Sequence, residues 1–333
     1  MEYNFDGLIP KHMLQRGLIT SSSSSKAIYK IFNERRLPRK GWSDQSIERL
    51  IQILASMDSD KDHESARIGE REGRVISRVA ANSALEFNHG IGRSGELIAA
   101  QPKAPGASIM YSLANKIALD VMRSFGSPKI NSAVVAPLTT GMSIGLSLAT
   151  FRKSTKRKVV IARIDHKSPN KAVETFGMNP VIINGDVCGD AVRISPEKIN
   201  QAVDKNCIAI LSTTTFFPPR EMDNIFEVSK IAAEQNVAHV INNAYGVQSR
   251  EIMATINEAS KRGRIDAIIQ STDKNFLCPV GGSIIASPKE DFASKVAQLY
   301  AGRASAAPAA QFLSTMLRIG YDGYEKLRNI QEK

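Results

Sequence analysis

The chain has 333 residues, 42% of them hydrophobic, which is enough for one large domain, or a large one with a small companion, and excludes a disordered tail. Its 44 Lys and Arg against 33 Asp and Glu give a formal net charge of +11, which favours polyanionic partners such as RNA or phosphorylated substrates; a solvated basic surface gives the same figure. Cys188, Cys207 and Cys278 lie far apart without a C-x-x-C pair, so no disulfide framework or zinc site is expected, and a reducing, cytoplasmic compartment fits.

The chain opens with the acidic Met1-Glu2-Tyr3-Asn4-Phe5-Asp6, and no apolar run approaches the ~20 residues of a membrane span, so neither an export signal nor a membrane partner is expected. After a first amphipathic segment, Thr20-Ser21-Ser22-Ser23-Ser24-Ser25 is a polar run expected to separate an N-terminal arm from the body. Ile47, Leu50, Ile51 and Leu54 recur at helical spacing before the polar break Asp58 to Asp62, which predicts one packed helix followed by a loop.

From about residue 107, short apolar runs alternate with helical patterns. They are Ala133-Val134-Val135, Val159-Val160-Ile161, Val181-Ile182-Ile183, Ile208-Ala209-Ile210, Val240-Ile241, Ala267-Ile268-Ile269 and Ile284-Ile285. This rhythm predicts an α/β fold, and continuous rather than alternating apolar strands predict a mainly parallel seven-stranded sheet covered by helices on both faces. The expected divisions are a helical arm over residues 1–60, a body over 61–300 that carries the sheet, and a last segment over 301–333.

Ligands of such sheets sit beyond the carboxyl ends of the strands. After the first run, Pro137-Leu138-Thr139-Thr140-Gly141-Met142-Ser143 leads into a helix and places hydroxyls and free N–H groups at its start, a phosphate seat; an ordinary cap with a turn glycine reads the same way. His166 follows the second strand, where an imidazole can lie against a flat cofactor or serve the loop itself. Asn242-Asn243-Ala244-Tyr245-Gly246 ends another strand, and Asn242 can face a ring nitrogen or belong to a plain turn.

Finally, Ser271-Thr272-Asp273-Lys274-Asn275-Phe276 lies between two apolar strands and before the turn Gly281-Gly282. Partial burial there would lower the amine's pKa and suit Lys274 to form a Schiff base. Phosphate seat, stacking ring, ring-nitrogen partner and lysine follow one another as in aminotransferase-like enzymes, so pyridoxal 5'-phosphate (PLP) is the expected cofactor, with no metal.

Gly90-Ile91-Gly92-Arg93-Ser94-Gly95 satisfies G-x-G-x-x-G. A dinucleotide fingerprint needs a strand before and a helix after, whereas Phe87-Asn88-His89 precedes and Gln101-Pro102-Lys103-Ala104-Pro105 soon follows, so that reading is rejected. What remains is a glycine-rich phosphate loop over 90–106 carrying Arg93, Ser94, Gln101 and Lys103, with Arg71 and Arg74 upstream.

Together with Gly69-Glu70-Arg71-Glu72-Gly73-Arg74-Val75, Asn242 to Ser249 and Asp273-Lys274-Asn275-Phe276, these stretches resemble the O-phosphoseryl-tRNA(Sec):selenocysteinyl-tRNA synthase family, from Gly7 to about Lys326. The resemblance implies the aminotransferase-like fold (PLP fold type I) and the conversion of O-phosphoseryl-tRNA(Sec) to selenocysteinyl-tRNA(Sec) with selenophosphate. It implies that Lys274 holds the cofactor and shuttles the α-proton, and that Arg71 binds the cofactor alongside Thr140, Gly141, His166 and Asn242.

By the same resemblance Arg93, Ser94, Gln101 and Arg303 hold the phosphoseryl phosphate, Glu70 repels a free α-carboxylate, and Lys261 contacts tRNA. Asn242 stands where most aminotransferase-like enzymes carry an aspartate. A homotetramer is implied, one subunit's glycine-rich loop reaching a neighbour's site, with no DNA partner. Two other readings stand beside it: a catalytically impaired tRNA-binding or assembly protein, because relatives run beyond residue 333, and another PLP enzyme such as a cysteine desulfurase.

Overall fold

The computed structural model describes Phe5, residues 8–62 and residues 72–332, apart from the Ser24 side chain. Helices α1 (Lys11–Glu34), α2 (Asp44–Ala55), α3 (Arg78–Ser83) and α4 (Pro105–Phe125) precede the sheet. The first half of the body then runs β1 (Ser132–Ala136), α5 (Thr140–Ala149), β2 (Lys158–Ala162), α6 (Lys167–Thr175) and β3 (Asn179–Ile183). A small hairpin follows, β4 (Asp186–Cys188) with β5 (Ala191–Arg193), and then α7 (Pro196–Ala202), β6 (Cys207–Thr213), α8 (Ile225–Glu234) and β7 (Ala238–Asn242). The chain continues through α9 (Arg250–Arg262), β8 (Ala267–Ser271), the one-turn α10 (Thr272–Asn275), β9 (Ser283–Ser287), α11 (Phe292–Gln298) and α12 (Ala307–Gln331).

All seven apolar runs read from the sequence are strands of one sheet, in the order β1-β9-β8-β7-β6-β2-β3. Only β9 runs antiparallel to its neighbours, so the other six strands point the same way and their carboxyl ends share one edge. Successive side chains of a strand face opposite sides, and the two cores divide accordingly. Val159 and Ile161 of β2 join the larger core with α4 and α12, while Val160 and Ala162 join Ile199 of α7 and Val228 and Ile231 of α8. Both faces are covered, as the unbroken apolar runs require.

The expected packed helix is α2: Ser43 caps it, its Oγ accepting from the Ser46 N–H at 3.3 Å, and Leu50 and Leu54 are buried. The serine run does not separate an arm from the body. Residues 20–25 lie inside the continuous helix α1, because hydroxyls there bond back one turn, Thr20 Oγ1 to the Arg16 carbonyl and Ser25 Oγ to the Ser21 carbonyl, each at 3.0 Å. The hairpin of β4 and β5 has no counterpart among the expected strands; each of its strands is only three residues long, and β4 is exposed throughout.

α12 is interrupted at Gly320, whose φ of 67° no helix contains. Residues 38–42 dock into that break: the N–H groups of Tyr321 and Asp322 donate to the carbonyls of Pro38 and Arg39, and the Trp42 N–H donates to that of Leu317. A Cβ on Gly320 would stand 2.6 Å from the Gly41 nitrogen, and one on Gly41 would stand 2.1 Å from the Arg318 oxygen, so both positions demand glycine. Beyond the break, Phe125 of α4 stacks on Tyr321 at 4.9 Å and meets Tyr324 at 4.6 Å between centroids.

Candidate cofactor site

Loops leaving the carboxyl ends of β1, β2, β6, β7 and β8 surround a cavity of about 270 Å³. Five residues singled out in the sequence line it: Thr140, Gly141, His166, Asn242 and Lys274. Their separation along the chain disappears because parallel strands deliver all their carboxyl ends to one edge.

At one end, β1 turns into α5. The first N–H groups of a helix have no partner within it and, with the helix dipole, form an anion seat; no acidic side chain in the first turn of α5 opposes this. A Cβ on Gly141 would stand 2.1 Å from Ser168 Oγ, so glycine is needed where α6 closes on this helix start. His166 caps α6, its Nδ1 accepting from the Ser168 N–H at 3.2 Å, and its ring meets Phe216 edge-on at 6.4 Å.

Asn242, the last residue of β7, is 7% exposed, and its amide nitrogen donates to Thr213 Oγ1 at 3.4 Å while Oδ1 has no partner. Leaving a buried acceptor unpaired is costly, so this oxygen is set for a donor from a bound molecule. His239, lower in the same strand, is fully buried between Ser212 Oγ at 2.7 Å and the Arg264 carbonyl at 3.1 Å. Burial depresses its pKa to about 4, so it stays neutral as part of the core.

Lys274 lies on α10, anchored on both sides. Asn275 Nδ2 donates to the carbonyls of Ala244 at 2.7 Å and Ser271 at 2.9 Å, Gln248 Nε2 donates to the Lys274 carbonyl, and Tyr324 Oη donates to that of Asn275 at 3.0 Å. Phe276 packs against Phe312 and Tyr324 of α12. With its backbone fixed, the side chain points into the open cavity and is exposed rather than partly buried as expected, because it occupies the mouth-facing side of a single turn. Its ammonium lies 4.5 Å from the centre of the Tyr245 ring.

The sequence reading gave Tyr245 no role, nor Thr215 and Phe216, which follow β6 and complete the wall. Their signal was positional: each stands just beyond a parallel strand's carboxyl end. These residues fit pyridoxal phosphate, with the α5 N-terminus for its phosphate, the unpaired Asn242 oxygen for its ring nitrogen and Lys274 for its aldehyde.

Arg93, Ser94, Gln101 and Arg303 do not line this cavity. They belong to a second cluster, where Ile91 bridges Ala304 and so brings the glycine-rich loop alongside Arg303. No strand precedes and no helix directly follows Gly90 to Gly95, whose glycines adopt positive φ, so the dinucleotide reading stays rejected. Arg303 makes a forked pair with Glu72, at 3.1 and 3.3 Å, and Lys103 lies 3.8 Å from the same carboxylate. Lys261 lies near the end of α9, paired with Glu258. Glu70 and Arg71 lie outside the described residues.

The chain matches over residues 57–333 the family model described as O-phosphoseryl-tRNA(Sec) selenium transferase, SepSecS. The transferase of that name from Methanopyrus kandleri is 43% identical across 98% of this chain and 76% of its own length. Its counterpart from Methanocaldococcus jannaschii is 40% identical across 100% and 77%. The crystal structure of an archaeal O-phosphoseryl-tRNA(Sec) selenium transferase superposes with a TM-score of 0.95 at 40% identity, covering 100% of this chain and 77% of that one. A rice TDC crystallised with PLP and tryptamine shares the fold, with a TM-score of 0.55 at 13% identity over 97% of this chain and 77% of its own. The chain belongs to the O-phosphoseryl-tRNA(Sec) selenium transferase family.

Proposed function

We propose that this protein converts O-phosphoseryl-tRNA(Sec) to selenocysteinyl-tRNA(Sec) in the cytoplasm, using pyridoxal phosphate and selenophosphate. The carrying observation is the convergence of Lys274, Asn242 and the start of α5 on one cavity in a chain of this family. When bound, the cofactor supplies the electron sink that acidifies the substrate's α-proton. Lys274 Nζ would hold the cofactor's aldehyde end and, once displaced there by the substrate's amine, would take that proton; Asn242 would orient the ring, and the Thr140 and Gly141 amides would bind the phosphate, with Arg71 assigned to the same task. Phosphate departs from the β-carbon with the C–O electron pair, the selenium of selenophosphate bonds there, Lys274 returns the proton to the α-carbon, and water takes the phosphoryl group as the P–Se bond breaks, leaving the selenol and a second phosphate.

A phosphoseryl phosphate needs cations, yet Lys274 is the only lysine or arginine among the described residues of the cavity wall. This supports supply of Arg93, Ser94, Gln101 and Arg303 by a neighbouring subunit of a homotetramer. Assembly has exposed apolar side chains available in and just before α1: Leu8, Ile9, Met13, Leu18, Ile19 and Tyr29. The arm over residues 1–60 thus joins subunits, 61–300 form the catalytic domain, and 301–333 begin the next. Glu70 would exclude free phosphoserine, and Lys261 would touch the tRNA. No helix among the described residues is long and apolar enough to cross a membrane.

The desulfurase reading is disfavoured: no cysteine lines the cavity among the described residues, and burial pushes the Cys278 thiol up to about 11. The decisive experiment supplies phosphoseryl-tRNA and selenophosphate to the cofactor-loaded protein. Selenocysteinyl-tRNA should form, and Lys274→Ala should lose at least about 10³-fold in rate, a general base and cofactor tether going together. Undiminished product from the variant would refute the assignment.

A further inference from the structure

Beside the cofactor cavity, and sharing Tyr245, Phe216 and Phe217 with it, opens an annex of about 240 Å³. Its far side is formed by Ile252 at the start of α9 and by Gln331. Phe217 is 67% exposed at its lip, set edge-to-face against Phe216 with ring centres 5.3 Å apart. An apolar ring that size held in water beside a reaction cavity is a feature of recognition surfaces. Among the described residues no lysine, arginine or histidine lines the annex, so it is unsuited to phosphate and suited to a flat, uncharged group.

We infer that the annex binds the terminal adenine of the aminoacyl-tRNA, stacked on Phe217. The inference rests on the aminoacyl-tRNA substrate proposed above. The α-carbon must come within about 3–3.5 Å of Lys274 Nζ for proton transfer, and the ester oxygen is two bonds further, so the terminal ribose sits within roughly 6 Å of Nζ. The Tyr245 ring, 4.5 Å from Nζ, stands at that distance as the partition between cavity and annex. A nucleotide whose ribose rests on this partition delivers its base to the far side. Single-stranded nucleic-acid ends are held by stacking on aromatic side chains, which ignores base identity. That suffices here, because every tRNA ends in the same adenosine.

The test compares two small substrates of the cofactor-loaded protein, the 3'-adenosine ester and the methyl ester of O-phosphoserine, by phosphate release. The adenosine ester should show a KM roughly tenfold or more below that of the methyl ester, with similar kcat. Phe217→Ala should abolish most of this preference and Phe217→Trp should restore it. Equal KM values in the unaltered protein, or an alanine variant that keeps the preference, would overturn the inference. Turnover of neither ester nor of phosphoseryl-tRNA would instead count against the proposed reaction. Fluorescence of 2-aminopurine riboside, which needs no turnover, then decides the annex: quenching that Phe217→Ala abolishes supports it, and no quenching by the unaltered protein overturns it.

Discussion

Asn242 shows how one atom can disclose a missing partner. Its oxygen is buried and unpaired, whereas its amide nitrogen is already engaged. Asn242→Ala should weaken cofactor affinity by about 3- to 10-fold, the worth of one neutral hydrogen bond, and leave the unloaded protein's melting temperature nearly unchanged, as equilibrium dialysis and calorimetry can check. Two other buried groups govern acid response. Asp58, 2% exposed, accepts from the Ala107 N–H at the start of α4, and burial, with Asp60 adding to it, raises its pKa to about 6. The folded chain therefore keeps this proton where the unfolded chain has lost it, so stability from this source is full below about pH 4 and falls as pH rises to about 6. His239, lowered to about 4, acts oppositely: its contribution is full above about pH 6.5 and is lost as pH falls towards 4.

Each of these two effects is on the order of 3 kcal/mol, so over the shared window they largely cancel. Asp58→Asn, which keeps the oxygen that accepts from Ala107, should uncover a melting temperature that climbs more steeply from pH 4.5 to 6.5 than that of the unaltered protein. Parallel profiles would show that Asp58 carries no such proton.

Among the elements, the seven sheet strands were legible because each is a compact apolar run bounded by polar residues, and their two-sided burial explains why alternation was missing. The serine run misled because composition does not record that a hydroxyl can bond to the carbonyl four residues earlier and so remain helical. Tyr245 was written in plain view within a conspicuous motif, but its place under Lys274 depends on a turn after β7 meeting a turn after β8, a contact no local pattern encodes. Nor did sequence separate the two clusters of candidate residues; the Ile91–Ala304 bridge, which aligns the glycine-rich loop with Arg303, spans more than two hundred residues. The break in α12 tests another such long-range contact. Gly320→Ala forces a Cβ against backbone at positive φ and should cost roughly 2–4 kcal/mol, seen as a lowered urea midpoint.

For the whole molecule, Arg93 lies outside the lining of the cavity that contains Lys274, and the proposal that a neighbouring subunit supplies it can be tested directly. Arg93→Ala and Lys274→Ala should each be inactive alone, and mixing them under conditions of subunit exchange should restore activity that neither has. Absence of restoration, with exchange verified by mass spectrometry of the mixed oligomers, would place both residues in the service of the same subunit. The net charge of +11 bears on encounter with tRNA rather than on this chemistry.

The docking of residues 38–42 into the break at Gly320 also orders events on the ribosome. Gly41 leaves the exit tunnel long before its partner backbone exists, and at usual elongation rates the wait is roughly 15 to 60 seconds. During that interval the sheet can assemble, but residues 38–42 lack the seat that α12 provides, while α1 keeps its exposed apolar side chains in solvent. Newly made chains should therefore depend on holdase chaperones until α12 emerges, and a slowed ribosome should lengthen their exposure to aggregation and proteolysis.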